Sequence, residues 1–219
     1  MVGGSRRWFD LGAFHLQPSE LMKVLTIIAL AKYIHETPAL DGRTLRHILV
    51  PIFLAGLPFL LIAAQPDLGT ALIVMLTFAT VMLTARLRLK TMAGIVLVVA
   101  LAAAPLWEYA LHDYQRNRIL AFINPAVDPA TAWQPRQAMN AVGSGRLIGK
   151  GFLQGTQIRL RSLPALWTDF PLAVWAEEWG FLGCTVVLLA YAFLALWVIK
   201  IGREARDRFG ITVCVGVAA

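Results

Sequence analysis

The chain has 219 residues, of which 58% are hydrophobic and 15% charged, with a formal net charge of +7 and a mean hydropathy of +0.65. Soluble domains average about 45–50% apolar and about 25% charged residues, so this composition excludes an ordinary water-soluble domain. The basic residues lie between apolar blocks and form no basic domain, which argues against a nucleic acid partner.

Residues 1–14 contain no apolar h-region, so no cleavable signal peptide is expected. The first apolar block, residues 18–34, opens with Gln17-Pro18-Ser19-Glu20. Proline suits the first helical position, and an acid in the first turn suits the helix dipole. Lys23 follows Glu20 by three residues, on the same helical face and inside the apolar run. Ionisable residues within spans face a partner or a water-filled cavity. The pair therefore reads either as a structural ion pair or as the lining of a site.

The second block covers residues 45–64. Gln65-Pro66-Asp67 opens the third, residues 68–85, where Asp67 reads as a cap for the free amides of the first turn. The fourth covers residues 92–111 and the fifth residues 172–199. A sixth begins near Ile211 and reaches Ala219. A helix needs about 20 apolar residues to cross a bilayer. Lipid offers the backbone no hydrogen-bond partners, so helices are expected. The expected fold is an all-α integral membrane protein, a polytopic helical bundle with about five complete spans and the start of a sixth. Residues 1–219 form one partial membrane domain, with residues 112–171 as a large extracytoplasmic loop.

Orientation follows from lysine and arginine in the short loops. With the first loop inside, the inner side holds Lys32, Arg43, Arg46, Arg86, Arg88, Lys90, Lys200, Arg203, Arg206 and Arg208. The outer short segments hold Arg6 and Arg7. The long loop then faces outward, yet it carries Arg116, Arg118, Arg136, Arg146, Lys150, Arg159 and Arg161. Topology does not explain these, and they hint at an anionic ligand at the outer surface.

Within that loop, Gly143-Ser144-Gly145 and Gly149-Lys150-Gly151 superficially resemble a phosphate-binding loop. The spacing is wrong for a P-loop, and Gly151 stands where Ser or Thr is needed. Glycines near a lysine can still form an anion-binding nest of amides, or simply make turns. Asp169 is a carboxylate just before the fifth block, in a stretch rich in positive charge. It reads either as an N-cap or as a general base. Glu177 and Glu178, two turns further on, call for a polar contact with a neighbouring helix, or less simply for a metal. Trp133, Trp167, Trp175 and Trp179 fit a membrane-interface belt. Cys184, Cys214 and the four histidines make no metal-binding spacing, and no protein-built metal site is expected.

Arg7-Trp8-Phe9-Asp10-Leu11-Gly12, Gln17-Pro18-Ser19-Glu20 with Lys23, and Gln65-Pro66-Asp67-Leu68-Gly69-Thr70-Ala71 come first in the chain. They are followed by His112-Asp113-Tyr114-Gln115-Arg116, Asn124-Pro125, Gly155-Thr156-Gln157, Thr168-Asp169-Phe170 and Ala176-Glu177-Glu178-Trp179-Gly180. In this order they resemble the SEDS family of bacterial peptidoglycan glycosyltransferases, the RodA/FtsW/SpoVE group. The His-Asp-Tyr-Gln-Arg run and the Gly-Thr-Gln triplet favour its cell-shape branch over its division branch. The family has ten spanning helices, and this chain resembles the fourth to the start of the ninth. It is thus read as an internal stretch lacking both ends and the Ser-Tyr-Gly-Gly signature.

The resemblance implies polymerisation of lipid II into glycan strands during cell elongation, in the bacterial cytoplasmic membrane. It implies a class B penicillin-binding protein transpeptidase and the elongation machinery as partners. Asp169 falls at the position of the family's essential aspartate, with the implied role of deprotonating the acceptor sugar's 4-hydroxyl. Lys150, Arg116 and Arg118 would stabilise the departing pyrophosphate, Gln157 would contact substrate, and Glu20 and Lys23 would line a central cavity. Mg2+ or Mn2+ would be held with the substrate pyrophosphate. The family usually reads Pro-Glu-x-His-Thr-Asp where this chain has Pro164-Ala165-Leu166-Trp167-Thr168-Asp169, and Ala138 and Pro171-Leu172 also depart from its pattern. A lipid II flippase and an inactive scaffold are the competing readings. A flippase needs a polar path through the spans, for which only Glu20 and Lys23 qualify.

Overall fold

A computed structural model describes residues 9–10, 15–37, 42–65, 67–85, 87–105, 108, 116–117, 120, 129–155 and 170–219. Among these, β1 (Phe9–Asp10) pairs antiparallel with β2 (His15–Leu16), Phe9 opposite Leu16. The helices are α1 (Pro18–Glu36), α2 (Leu45–Ala64), α3 (Leu68–Thr84), α4 (Leu89–Pro105), α5 (Pro129–Gly145), α6 (Pro171–Glu204) and α7 (Arg208–Ala218). The chain divides into two compact units, residues 1–97 with 194–219, and residues 98–193.

In the first unit α1, α2, α3 and α7 pack together. Leu30 and Ile34 of α1 meet Val81, Met82 and Ala85 at the end of α3. A second cluster joins Ile62 of α2 to Ala71 and Val74 of α3. The helix starts follow the local chemistry. Pro18 opens α1, and Asp67 caps α3 by accepting from Thr70 N at 3.2 Å and Thr70 Oγ1 at 3.0 Å. Asp207 caps α7 by accepting from Gly210 N at 3.0 Å. The end of α1 is closed by Arg43, which donates to the carbonyls of Ile34 and Thr37 and to Thr37 Oγ1.

The second unit holds α5 and the first part of α6. The stretch between the fourth and fifth apolar blocks thus contains a helix of 17 residues. One expectation changes here. The fifth apolar block is not a continuous helix, because Gly180 has φ 65° and ψ −162°. Residues 171–179 form a separate helical segment, and the long apolar helix begins after Gly180. At about 1.5 Å per residue, residues 181–204 still cover roughly the 30 Å hydrocarbon core.

Among the described residues, two helices are long and apolar enough to cross a membrane, His47–Ala64 and the apolar helix within Pro171–Glu204. Length and hydropathy alone do not extend this to the five spans expected. α1 carries Glu20, Lys23 and Lys32, and α3 stops at 17 residues. Large side chains such as Phe53, Leu60, Leu83, Val186 and Leu196 point outward, with more than half of their surface exposed. So much outward-facing apolar surface suits lipid better than water.

Gly180 lies in a backbone region essentially restricted to glycine, where another residue costs about 1–3 kcal/mol. A Cβ there would also overlap Gly149 N and Ile148. Gly180→Ala is expected to lower the thermal unfolding midpoint in detergent clearly. Gly56→Ala, with nothing within 4 Å of the added carbon, is expected to leave it unchanged or raise it slightly.

Candidate functional site

A break inside a helix strands backbone groups on both sides, carbonyls before it and amides after it. Here one segment of chain satisfies both sets. After α5 the backbone turns through Arg146 (φ 51°), Gly149 (φ 86°) and Gly151 (φ 100°). Lys150 N and Gly151 N donate to the carbonyls of Glu177 and Glu178, at 2.9 and 3.0 Å. Phe181 N and Leu182 N donate to the carbonyls of Arg146 and Leu147, at 2.8 and 3.1 Å. Contact this close requires glycine at Gly149, where a Cβ would overlap the Glu178 carbonyl.

Glu177 and Glu178 of α6 turn into this joint. Glu177 is fully buried, and its Oε1 accepts from Lys150 Nζ at 2.7 Å and lies 3.3 Å from Ser144 Oγ. Glu178, 6% exposed, accepts from Leu153 N at 3.0 Å. A buried carboxylate is tolerated only when paired and hydrogen-bonded, so the Lys150–Glu177 pair holds the turn against the helix. Trp175 and Trp179 stack on one another along the same segment, ring centroids 5.4 Å apart.

The glycine motif and the two adjacent acids each admit two readings from sequence, and the bonds decide between them. The amides of Gly149, Lys150 and Gly151 donate to the carbonyls of Gly145, Glu177 and Glu178, so the glycine motif is a structural joint and not an anion nest. Glu177 makes a polar contact with the neighbouring helix α5 through Ser144 Oγ, and the two acids also meet the turn after α5 through Lys150 Nζ and Leu153 N.

The other predicted residues lie in one or the other unit or outside the described residues. Lys23 Nζ lies 2.8 Å from Glu20 Oε2 within α1, so the ion pair is formed, in the first unit. Arg116, in the second, donates through Nη2 to the carbonyl of Glu108. Asp169, Gln157 and Arg118 lie outside the described residues. Asp169 stands two positions before Pro171, where the segment clamped by the joint begins. Beside that start, a cavity of about 680 Å³ is lined mainly by apolar groups, including Met139 and Val142 of α5 and Phe170 and Leu172.

Comparison with known proteins decides the family. A model of the FtsW/RodA/SpoVE cell cycle proteins matches residues 1–219. The chain belongs to this family. It is 37% identical over 215 residues to the peptidoglycan glycosyltransferase MrdB of Escherichia coli K12, covering 98% of this chain and 58% of that protein. Stage V sporulation protein E of Bacillus subtilis is 35% identical over 215 residues, again covering 98% and 58%. The chain thus spans a little over half the length of these relatives. Among solved structures, one described as a peptidoglycan synthase complex coordinating polymerization and crosslinking matches with a TM-score of 0.72 and 29% identity, covering all of this chain and 60% of that one. The crystal structure of Thermus thermophilus rod shape determining protein RodA matches with a TM-score of 0.59 and 25% identity, covering all of this chain and 54% of that one. The joint between the glycine-rich turn and the broken helix is thus a feature of a member of the FtsW/RodA/SpoVE family.

The two partners of the buried pair are not equivalent. Lys150 is 30% exposed and Glu177 is not exposed at all. Lys150→Met would strand a buried carboxylate, at a cost of about 3–5 kcal/mol. Glu177→Gln would leave a lysine that can turn toward water. Thermal unfolding in detergent is expected to show the larger loss for Lys150→Met; equal losses would contradict the asymmetry.

Proposed function

We propose that the chain is part of a membrane-embedded peptidoglycan glycosyltransferase that polymerises lipid II during cell elongation, with Asp169 as the general base. The observation that carries this reading is the 37% identity to a named peptidoglycan glycosyltransferase along 98% of the chain. In this reading the chain crosses the cytoplasmic membrane five times and enters a sixth span, and residues 112–171 face outward.

Asp169 takes the proton of the acceptor sugar's 4-hydroxyl as that oxygen attacks the donor's anomeric carbon, and the lipid pyrophosphate leaves. Negative charge grows on the pyrophosphate, where Arg116 and Arg118 would stabilise it. Lys150 would contribute less, because its charge is matched by Glu177. Gln157 would contact substrate, and the Glu20–Lys23 pair would line the central cavity. Among the described residues no three of His, Cys, Asp or Glu come together as a metal site. Magnesium or manganese would be held with the substrate's pyrophosphate. A class B penicillin-binding protein and the elongation machinery are the proposed partners; similarity to a synthase that couples polymerization to crosslinking supports the first.

The test is lipid II polymerisation in liposomes, using the full-length frame with its transpeptidase partner and moenomycin to silence classical glycosyltransferases. Glycan strands are expected from the wild type and none from Asp169→Asn. Absence of strands from folded, partner-bound wild type would sink the polymerase reading and favour transport or scaffolding.

A further inference from the structure

At one end of the first unit, the close of α1 meets the starts of α2, α4 and α7 and the close of α3. Arg43 O accepts from Arg88 N at 3.4 Å and from Thr91 Oγ1 at 3.2 Å, while Tyr33 Oη donates to His47 O at 3.1 Å. This end is basic, with Arg43, Arg88, Lys90, Arg203, Arg206 and Arg208 on the segments that meet there or adjoin them. It encloses a cavity of about 130 Å³ lined by Arg43, Thr84, Arg208 and Thr212 together with Ile34, Ala85 and Ile211. An engineered protein cavity of ~150 Å³ admits a benzene, so a phosphate-sized group fits.

The charges around this cavity are unusual. Arg43 is 1% exposed. Among the described residues, its guanidinium uses three of its five N–H donors on the end of α1. Burial lowers its pKa from the ordinary value; Tyr33 acts in the opposite direction, and Arg208 lowers it again. Arg208 sits in the first turn of α7, where the free amides already make the potential positive and a cation is disfavoured. Asp207, its neighbour, is turned onto its own helix as the cap. Among the described residues, neither arginine forms an ion pair with a carboxylate. Two guanidinia and a helix start thus converge on one cavity, and among the described residues no carboxylate pairs with either guanidinium.

We propose that this cavity binds a phosphoryl group, supplied by the headgroup of an anionic phospholipid in the leaflet at the basic end of the bundle. Arg43 is held by its bonds to α1, so the site is formed before the ligand arrives. Arg208 supplies the second guanidinium; Thr84 and Thr212 also line the cavity, with their hydroxyls donating to the carbonyls of Val81 and Arg208. The apolar outward faces of the neighbouring helices leave room for acyl chains. Juxtamembrane basic clusters attract anionic lipid in any case; the cavity adds dependence on particular residues.

The 219-residue chain in dodecylmaltoside would be titrated with phosphatidylglycerol or phosphatidylcholine, and bound lipid read by native mass spectrometry. Sodium phosphate would be titrated in a parallel arm. Phosphatidylglycerol should be retained in preference to phosphatidylcholine. Arg208→Gln should weaken its retention about tenfold, the effect of losing one charge-assisted hydrogen bond. Arg208→Gln leaves the Arg43 bonds and the Asp207 cap in place, so unchanged helical circular dichroism is expected. Arg203→Gln, which removes a charge outside the cavity wall, should have little effect. Equal losses in the Arg208 and Arg203 variants, or equal retention of both lipids, would overturn the proposal. Arg208-dependent binding of inorganic phosphate without lipid retention would overturn the lipid source and leave a free phosphate as the ligand.

Discussion

A helix that breaks in an apolar setting must find partners for the backbone groups it exposes. At Gly180 that demand is met by one segment, which donates two amides to the carbonyls before the break and accepts from two amides after it. Much of the second unit follows from this exchange. The turn after α5 must come within backbone contact of α6, so Gly149 and Gly180 cannot carry a Cβ. The acids Glu177 and Glu178 then face that turn instead of lipid.

The buried ion pair has meaning in this context. Alone, a buried lysine–glutamate pair is weak evidence for stability, because desolvation offsets its attraction. Lys150–Glu177 instead fixes register, since a slip of the turn along the helix would leave a carboxylate buried without its cation.

The first unit solves a related problem with a side chain. The last carbonyls of α1 have no helical partners, and the buried guanidinium of Arg43 provides them. The backbone of the same residue bridges to Leu87. One residue thus ties the end of α1 to the start of α4, and the cavity beside it is a by-product of that tie.

Much was legible in the sequence. Apolar blocks bounded by Pro18, Asp67 and polar turns predicted α1, α2 and α3 to within a few residues, because helix periodicity and capping are local. The Asp67 cap and the Glu20–Lys23 pair rest on spacings of three residues, which a helix turns into contacts. Ordered motifs placed the chain in its family. What only the tertiary structure decided involves groups far apart in the chain. The break at Gly180, the pairing of Lys150 with Glu177 and the meeting of Arg43 with Arg208 join residues separated by tens to more than a hundred positions. Glycines that form a joint and glycines that cradle an anion have the same composition. They differ in where their amides point, and that is set by the neighbouring helix and not by the motif.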